Sequence, residues 1–490
     1  MVKLERKRKA TGLVSEGNAV PSPAKKPKTL ELHSFESLRA SRYKTINERA
    51  TANRTPLDVF VWGSGSMCEL GLGPDAKTKE VKRPRLNPFL KKDEVGIVDF
   101  AVGGMHVLAL DKNGAVWSWG NNDSAVLGRD TSADADKNLR DMDAESDDED
   151  GDLNEAESTP GKVEGLPEND SVVKLAASDN LSVVLLESGQ VWAWGTFRNN
   201  EGILGFSKDV KLQKFPVRIT ELENIVSIVA GKDHILALDI KGWVYAWGNG
   251  QQYQLGRKIL ERSLLLSLEP RSFGLKNVKF IGSGEFHSFA ISTKGKVYSW
   301  GLNQYGQCGV DMNIDDGAVV TKPTEIKELA DKDIVYITGG EHHSLAVSSS
   351  GEVYAFGRYD MKEIGIEKDK LPLDDCIKDD HGNVRSLPVP TKLALPPIKT
   401  VACGSHHSLA VTKDGFVFSW GFADTYAVGL GNLDDDVEKP TRIDNTATKE
   451  HDIQIVGCGG QFSVSAGVKI DNEERIEERL DAIEKFEEEN

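Results

Sequence analysis

Cysteine is scarce in this sequence, and long apolar runs are absent from it. The 490 residues include five cysteines, widely spaced and without a Cys-x-x-Cys pair: Cys68, Cys308, Cys376, Cys403 and Cys458. This number and spacing argue against a disulfide framework or a zinc site, so we expect a reducing compartment. No apolar segment is long enough to cross a bilayer, and the first thirty residues are basic and polar. We therefore expect neither membrane association nor secretion.

Sequence motifs for covalent chemistry are also missing. There is no phosphate-binding Gly-x-x-x-x-Gly-Lys-Ser/Thr loop, no His-Glu-x-x-His helix and no Gly-x-Ser-x-Gly turn. Without converging acid, base or metal-binding residues, an enzyme with its own covalent chemistry is the weakest interpretation. We expect no metal and no cofactor.

Charge divides the chain into segments of different character. The net charge is −17, although residues 1–28 alone carry +6. Residues 130–157 contain thirteen acidic residues, and so dense a run of like charge is typical of a disordered insert. Near the end, Ile476, Leu480, Ile483 and Phe486 recur at helical spacing. We expect a basic, largely disordered tail (1–54), a folded domain (55–468) interrupted by the acidic insert, and an acidic C-terminal helix (469–490).

Two repeated signatures fill the folded domain. The first is Val-aromatic-x-aromatic-Gly, found seven times, as in Val116–Gly120, at intervals of 53 to 75 residues. The second precedes it and reads Gly-x-x-His, ending at His106, His234, His287, His343 and His407, with degenerate copies at 178–181 and 459–462. Glycines between the two mark tight turns, so each repeat is expected to contain a β-hairpin.

The two ends of the repeat region hold complementary halves of one repeat. The region begins with an aromatic-Gly strand (Val59–Gly63) and ends with a Gly-x-x-His-like strand (459–466). Pairing of these strands would close a ring and remove free sheet edges. The sequence therefore predicts an all-β fold, a seven-bladed β-propeller of four-stranded blades closed by its N- and C-terminal strands.

Periodicity gives most tryptophans and histidines a structural interpretation. All nine tryptophans lie in or beside the aromatic-Gly strands, as expected of rings packed between blades, rather than in an exposed light-sensing cluster. The five repeat histidines are expected to make structural hydrogen bonds. His342 and His406 each precede a repeat histidine by one position and are candidates for an exposed rim.

These signatures, over about residues 56–468, resemble the family of the regulator of chromosome condensation, the guanine nucleotide exchange factor for the small GTPase Ran. Local strings add to the resemblance: 101–106, 121–130, 160–163 and above all 195–205, Gly-Thr-Phe-Arg-Asn-Asn-Glu-Gly-Ile-Leu-Gly. With the basic tail and the acidic segments, the chain is most similar to fungal-type nuclear exchange factors.

The resemblance implies a set of site residues. A β-wedge that enters the GTPase beside its phosphate-binding loop would consist of Phe197, Arg198, Asn199, Asn200, Glu201, Gly202 and Ile203. The residues expected to drive nucleotide release are Asp179, Asp233 and His342. Arg257, Arg358 and His406 are further rim candidates, although both arginines could instead be solubilising charges.

The basic tail has its own expected partners. Its charged positions resemble a bipartite nuclear import signal, and the same charges would bind DNA phosphates without sequence preference: Arg6, Lys7, Arg8, Lys9, Lys25, Lys26 and Lys28. The resemblance implies chromatin (histones and DNA) and a nuclear import receptor as partners, and a nuclear location.

Two rival functions remain open at this point. A non-catalytic scaffold or adaptor, on chromatin or in the ubiquitin pathway, would use the same blades as a platform, because fold alone does not fix function. A receptor of the plant ultraviolet-B type is also a seven-bladed relative. The first rival predicts that the wedge segment is dispensable, and the second predicts an exposed tryptophan cluster.

Overall fold

A computed structural model describes residues 54–132, 152–310 and 318–489, which fall within one compact unit, 35–490. Seven antiparallel sheets surround a central channel of about 290 Å³. The predicted seven-bladed propeller is confirmed. The basic tail up to residue 53 and residues 133–151 of the acidic insert (130–157) lie outside the described residues, whereas the last residues of the insert enter a helical turn, Glu155–Ser158, instead of being disordered.

The strands follow the repeat. The chain enters with two strands of the blade that closes the ring, β1 (Asp58–Ser64) and β2 (Glu80–Leu86). Blade 1 contains β3 (Ile97–Val102), β4 (His106–Asp111), β5 (Val116–Gly120) and β6 (Gly161–Lys162). Blade 2 contains β7 (Val172–Ala177), β8 (Leu181–Leu186), β9 (Val191–Gly195) and, after an inserted hairpin of β10 (Phe197–Asn199) and β11 (Gly202–Gly205), β12 (Gln213–Arg218). Blade 3 contains β13 (Ile225–Ala230), β14 (His234–Asp239), β15 (Val244–Gly248) and β16 (Arg271–Ser272).

The remaining blades repeat the same order. Blade 4 contains β17 (Val278–Ser283), β18 (His287–Ser292), β19 (Val297–Leu302) and β20 (Val319–Glu325). Blade 5 contains β21 (Ile334–Gly339), β22 (His343–Ser348), β23 (Val353–Arg358), β24 (Ile377–Lys378) and β25 (Val384–Lys392), so it has a short fifth strand that the repeat did not predict. Blade 6 contains β26 (Ile398–Cys403), β27 (His407–Thr412), β28 (Val417–Gly421) and β29 (Val437–Arg442). The closing blade is completed by β30 (His451–Cys458) and β31 (Phe462–Lys469).

Ring closure takes place where the two half-repeats meet. Strand β1 pairs with β31 in unbroken antiparallel register, from Asp58 opposite Gly467 to Gly63 opposite Phe462. A hydrogen bond of 3.2 Å between His451 Nε2 and the Asp58 carboxylate lies beside this pairing. The expected union of the N- and C-terminal strands is confirmed.

Two helices and four short 3-10 segments complete the structure over the described residues. Helix α1 (Glu155–Ser158) is a single turn, and helix α2 (Glu473–Glu489) packs Ile483, Leu480 and Phe486 on blade 6. The 3-10 segments are Ala76–Thr78, Glu261–Leu268, Lys327–Leu329 and Lys368–Lys370. None of the described helices has the length and apolarity needed to cross a membrane. All five cysteines are free thiols.

The repeat histidines form a buried layer between blades, which we call the histidine layer. Each imidazole Nε2 lies 2.8–2.9 Å from a serine Oγ of the next blade: His106 and Ser182, His234 and Ser288, His287 and Ser344, His343 and Ser408, His407 and Ser463. In four of these pairs the serine donates its only hydroxyl proton to a backbone carbonyl, so the histidine is the donor to the serine. The prediction of structural hydrogen bonds for these histidines agrees with this geometry.

The two remaining blade boundaries replace the polar pair by an apolar one. Between blades 2 and 3 the histidine position holds Leu181 and the serine position holds Ile235, both in one hydrophobic cluster. Between the closing blade and blade 1 the corresponding residues are Phe462 and Val107. At both boundaries the histidine and the serine are replaced together. Replacement of only one of them would leave a buried hydrogen-bonding group without a partner.

The tryptophans support the same packing between blades. Six are almost completely buried, and five of these donate Nε1 to a carbonyl of the preceding blade, as Trp194 does to Val126 at 2.6 Å. Trp243 is the most exposed, at 37%, and stands alone in that respect. All nine tryptophans lie within the described residues, and they do not form the exposed cluster expected of a light receptor.

Candidate functional site

One end of the channel carries the charged residues, and we call it the channel mouth. It is formed by the seven loops that join the inner strand of each blade to the second strand. The first variable residues of these loops form a ring, which we call the mouth ring: Gly104, Asp179, Lys232, Glu285, Glu341, Ser405 and Gly460. Backbone hydrogen bonds tie neighbouring loops together, including Asp179 N–H to the Lys232 carbonyl at 3.1 Å and Lys232 N–H to the Glu285 carbonyl at 3.0 Å.

A single lysine holds two carboxylates of the mouth ring. Lys232 Nζ lies 3.0 Å from Glu285 and 3.6 Å from Asp179. Burial, together with the charge of Glu285, raises the pKa of Asp179 to about 7, although Lys232 opposes the rise. Burial alone would lower the pKa of Lys232, but its two carboxylate neighbours raise it overall. The mouth is thus acidic on this side, with an Asp179 that titrates near neutrality.

Asp233, which the resemblance nominates for nucleotide release, lies behind the mouth ring. Its side chain is buried, and its Oδ1 accepts a hydrogen bond from the backbone N–H of Arg198 at 2.9 Å, with Asn180 Nδ2 at 3.4 Å. Burial raises the pKa of Asp233, and the two hydrogen bonds limit the increase, so that the pKa is about 6. Asp233 therefore anchors the inserted hairpin to the mouth.

The inserted hairpin, β10 and β11, is the predicted wedge segment, and we call it the wedge. Its exposed residues are Arg198, Asn200, Glu201 and Ile203, and Ile203 is 55% exposed. Gly202 has a φ of +123° with open space around it, so this position turns the tip in a conformation that favours glycine. Phe197 is 1% exposed and packs against Gly248 of blade 3. It anchors the base of the wedge and does not present a surface of its own.

Histidines and an arginine occupy the other side of the mouth. His342 Nδ1 and His406 Nε2 lie 3.5 and 3.4 Å from the same oxygen of Glu341. Burial would raise the pKa of Glu341, but these two histidines lower it to about 2. Arg358 donates to His406 Nδ1 at 2.8 Å and forms an ion pair with the buried Glu363. Three of the predicted rim residues, His342, His406 and Arg358, are therefore brought together.

Arg257 does not join them. Its Nη1 donates to the carbonyls of Ala246 at 2.9 Å and Arg271 at 3.4 Å, so the guanidinium bridges β15 and β16 of blade 3. Arg129 bridges the corresponding strands of blade 1 through the carbonyls of Ser118 and Thr159. Arg257 thus links two strands of its blade in the folded structure, and its role at the rim stays a prediction.

Sequence reasoning missed several mouth residues. Lys232, Glu285 and Glu341 occupy the first variable position of their Gly-x-x-His loops, and comparing that position across the repeats would have found them. Tyr305 and Arg385 come from segments outside both signatures, and no sequence signal marks them. Among the described residues, no group of three histidine, cysteine, aspartate or glutamate side chains is arranged to hold a metal ion.

Comparisons with known proteins agree with this architecture. The model of the RCC1-like domain matches residues 58–465. The guanine nucleotide exchange factor SRM1 of Saccharomyces cerevisiae is 58% identical over 439 residues, covering 87% of this chain and 90% of its own. The crystal structure of Prp20p from S. cerevisiae, described with its binding to Gsp1p and histones, has a TM-score of 0.83 and 52% identity, covering 93% of this chain and 99% of its own. A structure of Kap60 bound to yeast RCC1 (Prp20) gives 0.83 and 51%, covering 95% of this chain and 100% of the matched chain.

Proposed function

The chain belongs to the RCC1-like family, and from that premise we propose that its wedge and channel mouth release guanine nucleotide by stabilising the nucleotide-free form of Ran. The protein is a guanine nucleotide exchange factor for Ran, which makes and breaks no covalent bond. The proposal concerns which residues do the work. The single observation that carries it is the wedge, which projects beside the mouth and is fastened to the mouth by Asp233.

Exchange requires a difference in affinity between two states of the GTPase. If the propeller binds the empty GTPase more tightly than the loaded one, it must weaken nucleotide binding by the same factor. Each tenfold weakening needs about 1.4 kcal/mol of differential contact. A wedge that enters the phosphate-binding region provides that difference because it is compatible only with the empty state.

Asp233 supports this action by holding the wedge rigidly. If the wedge were mobile, part of the free energy of binding the GTPase would be spent on ordering it. A wedge that is already ordered avoids most of that cost. The buried Phe197 and the bond from Arg198 N–H to Asp233 fix the start of the first wedge strand. Asp233 is in this sense a positioning residue.

The mouth carboxylates supply a second contribution. Asp179 and Glu285 share Lys232, so the acidic side of the mouth has more negative than positive charge. It would receive a lysine or arginine that faces the nucleotide phosphates in loaded Ran. His342 lies across the mouth, beside Glu341, where it would contact the same GTPase surface. Direction is not built into such a site, which passes GDP or GTP according to their concentrations.

The deciding experiment measures release of labelled GDP from purified Ran with and without the protein, and from a second small GTPase for specificity. Replacement of residues 198–203 by an Asn-Gly turn should reduce release from Ran to near its spontaneous rate. The control replaces Thr293 and Lys294, exposed residues of the turn between β18 and β19 at the opposite end of the propeller, by alanine and should leave release unchanged. Full release with the shortened wedge would reject the wedge mechanism and favour the scaffold interpretation.

Partners outside Ran follow from the relatives. Prp20p binds Gsp1p and histones, and yeast RCC1 forms a complex with Kap60, which supports binding of chromatin and of an import receptor by this chain. We propose nuclear localisation with residues 1–28, which lie outside the described residues, as import signal and DNA contact. Deletion of 1–28 should reduce nuclear retention while leaving exchange in solution unchanged, and loss of exchange would contradict this division.

A further inference from the structure

A cationic stack lies at the mouth end of blade 5, away from the wedge. The ring of Tyr305 has the Arg385 guanidinium at 4.8 Å on its face, and the ring of His342 meets it edge to face at 4.8 Å. Arg358 lies 5.6 Å from the same ring. Stacking on an aromatic face restricts the guanidinium and leaves its in-plane donors free for a ligand.

The position of Arg385 follows from strand register. Residue Ser386 of β25 pairs with Arg358, and Tyr359 N–H donates to the Arg385 carbonyl at 3.0 Å. Because β23 ends at Arg358 on the mouth side, Arg385 lies at the mouth end of its blade. Its side chain is exposed to solvent.

The charge of Arg385 is not neutralised by a close partner. Arg358 is buried and paired with Glu363, but no carboxylate of the described residues forms an ion pair with Arg385. Asp360 and Asp379 act on it only at longer range. A preorganised, exposed and unpaired arginine is the kind of residue that carries recognition at protein interfaces.

We propose that Arg385, held on Tyr305, is a specificity-determining contact that binds a carboxylate side chain of the GTPase and so sets the orientation in which the wedge engages. This inference rests on the proposed function. Asp179 lies on blade 2 and Glu285 on blade 4, whereas Arg385 lies on blade 5. A GTPase that places basic groups at the acidic side of the mouth and an acidic group at Arg385 binds in one orientation. In other orientations, groups of like charge would face each other and oppose binding.

The test compares two charge reversals in the full-length protein, measured by steady-state release of labelled GDP from Ran. Arg385→Glu should raise KM about tenfold or more with kcat little changed, and it should reduce the dependence of KM on salt. Arg218→Glu is the matched control, because Arg218 is an exposed arginine on the fourth strand of blade 2, opposite Trp192 and away from the mouth. Its KM should change less than twofold.

Substitutions of the ring separate the stack from the charge. Tyr305→Phe keeps the aromatic face and should leave KM unchanged, whereas Tyr305→Ala should raise it by less than Arg385→Glu does. Arg385→Lys keeps the charge and should give an intermediate KM, because a lysine lacks the planar fork.

Several outcomes would overturn the inference. They are an Arg385→Glu variant with wild-type KM, an effect on kcat alone, and an equal effect of Arg218→Glu. An effect present with GTP-loaded but not GDP-loaded Ran would assign the contact to a nucleotide phosphate instead, and would also reject it. Wild-type protein that fails to release GDP rejects the proposed function itself, so the two failures are distinguishable.

Discussion

The histidine layer and the mouth ring are only a few residues apart in each loop, yet they obey different rules. Histidines of the layer are fully buried, and burial lowers the pKa of His106, His234, His287 and His407 to about 3, so that they are neutral near pH 7. Four of the seven mouth-ring residues are partly exposed and ionisable (Asp179, Lys232, Glu285 and Glu341), and the pKa of Asp179 is raised whereas that of Glu341 is lowered. The position that forms the histidine layer holds histidine in five of the seven repeats. The position that forms the mouth ring differs from blade to blade, and the candidate site is built from those differences.

The largest expected effect tests the mouth side of this contrast. Asp233→Ala removes a charged hydrogen bond worth about 1.5–3 kcal/mol, so GDP release from Ran should slow by roughly 10- to 100-fold. The thermal unfolding midpoint should fall much less in proportion. Asp233→Asn, which keeps one acceptor for Arg198 N–H, should retain more activity, and Asp209→Ala, at an exposed residue, should retain all of it. If stability and exchange fall equally, Asp233 acts in exchange only through its contribution to folding.

The next effect tests the histidine layer. Ser344→Ala leaves the buried imidazole N–H of His287 and the carbonyl of Gln307 without partners, so the free energy of unfolding should fall by about 1–3 kcal/mol. Exchange by the folded protein should be unchanged. The free energy of unfolding is measured by urea unfolding, monitored by tryptophan fluorescence.

A double variant sharpens the same comparison. His287→Leu with Ser344→Ile copies the apolar pair found between blades 2 and 3, and it should be more stable than Ser344→Ala alone. If the double variant is the less stable of the two, the polar pair is required at this boundary for a reason other than hydrogen-bond satisfaction.

A smaller effect is the dependence of stability on pH. Unfolded histidines bind a proton below about pH 6.5 but the buried ones do not, so stability is retained above that pH and lost as pH falls towards 3. At pH 5 each such histidine costs up to about 2 kcal/mol. Asp179 and Asp233 act in the opposite sense, because their raised pKa values favour the folded state at lower pH. Thermal unfolding between pH 5 and 8 should therefore show a weaker acid sensitivity in the Leu/Ile double variant than in the wild type.

The smallest effect concerns exchange itself. If ionised Asp179 receives a cation of the GTPase, the rate of GDP release should rise by less than tenfold between pH 6 and pH 8, through the raised pKa of about 7. Asp179→Asn should flatten this profile on the same Ran preparation. A profile that is unchanged by the substitution would remove Asp179 from the mechanism.

Periodicity explains how much of the structure could be predicted. The repeats predicted the ring, its closure by Val59–Gly63 and the buried histidines, because each blade buries the same positions against its neighbour. The fifth strand of blade 5 escaped because it belongs to one loop only. Lys232 and Glu285 were missed because the interpretation followed the residues that the repeat keeps constant and did not compare the variable position between them across the blades.

Two partnerships at the candidate site could not have been read from residue types. The carboxylate of Asp233 binds a main-chain N–H, that of Arg198, and every residue except proline carries such a group. Arg257 resembles a surface charge in the sequence, but its partners are carbonyls of strands that meet only in the folded blade.

Pairing of β1 with β31 also constrains biosynthesis. About 400 residues separate these strands, so at ordinary translation rates of about 5–20 residues per second β1 waits roughly 20–80 seconds for its partner. Throughout that time the edge of β1 opposite β2 lacks its partner strand and is open to other polypeptides on and around the ribosome. A cell that makes this protein must shield β1 until the last blade has left the exit tunnel.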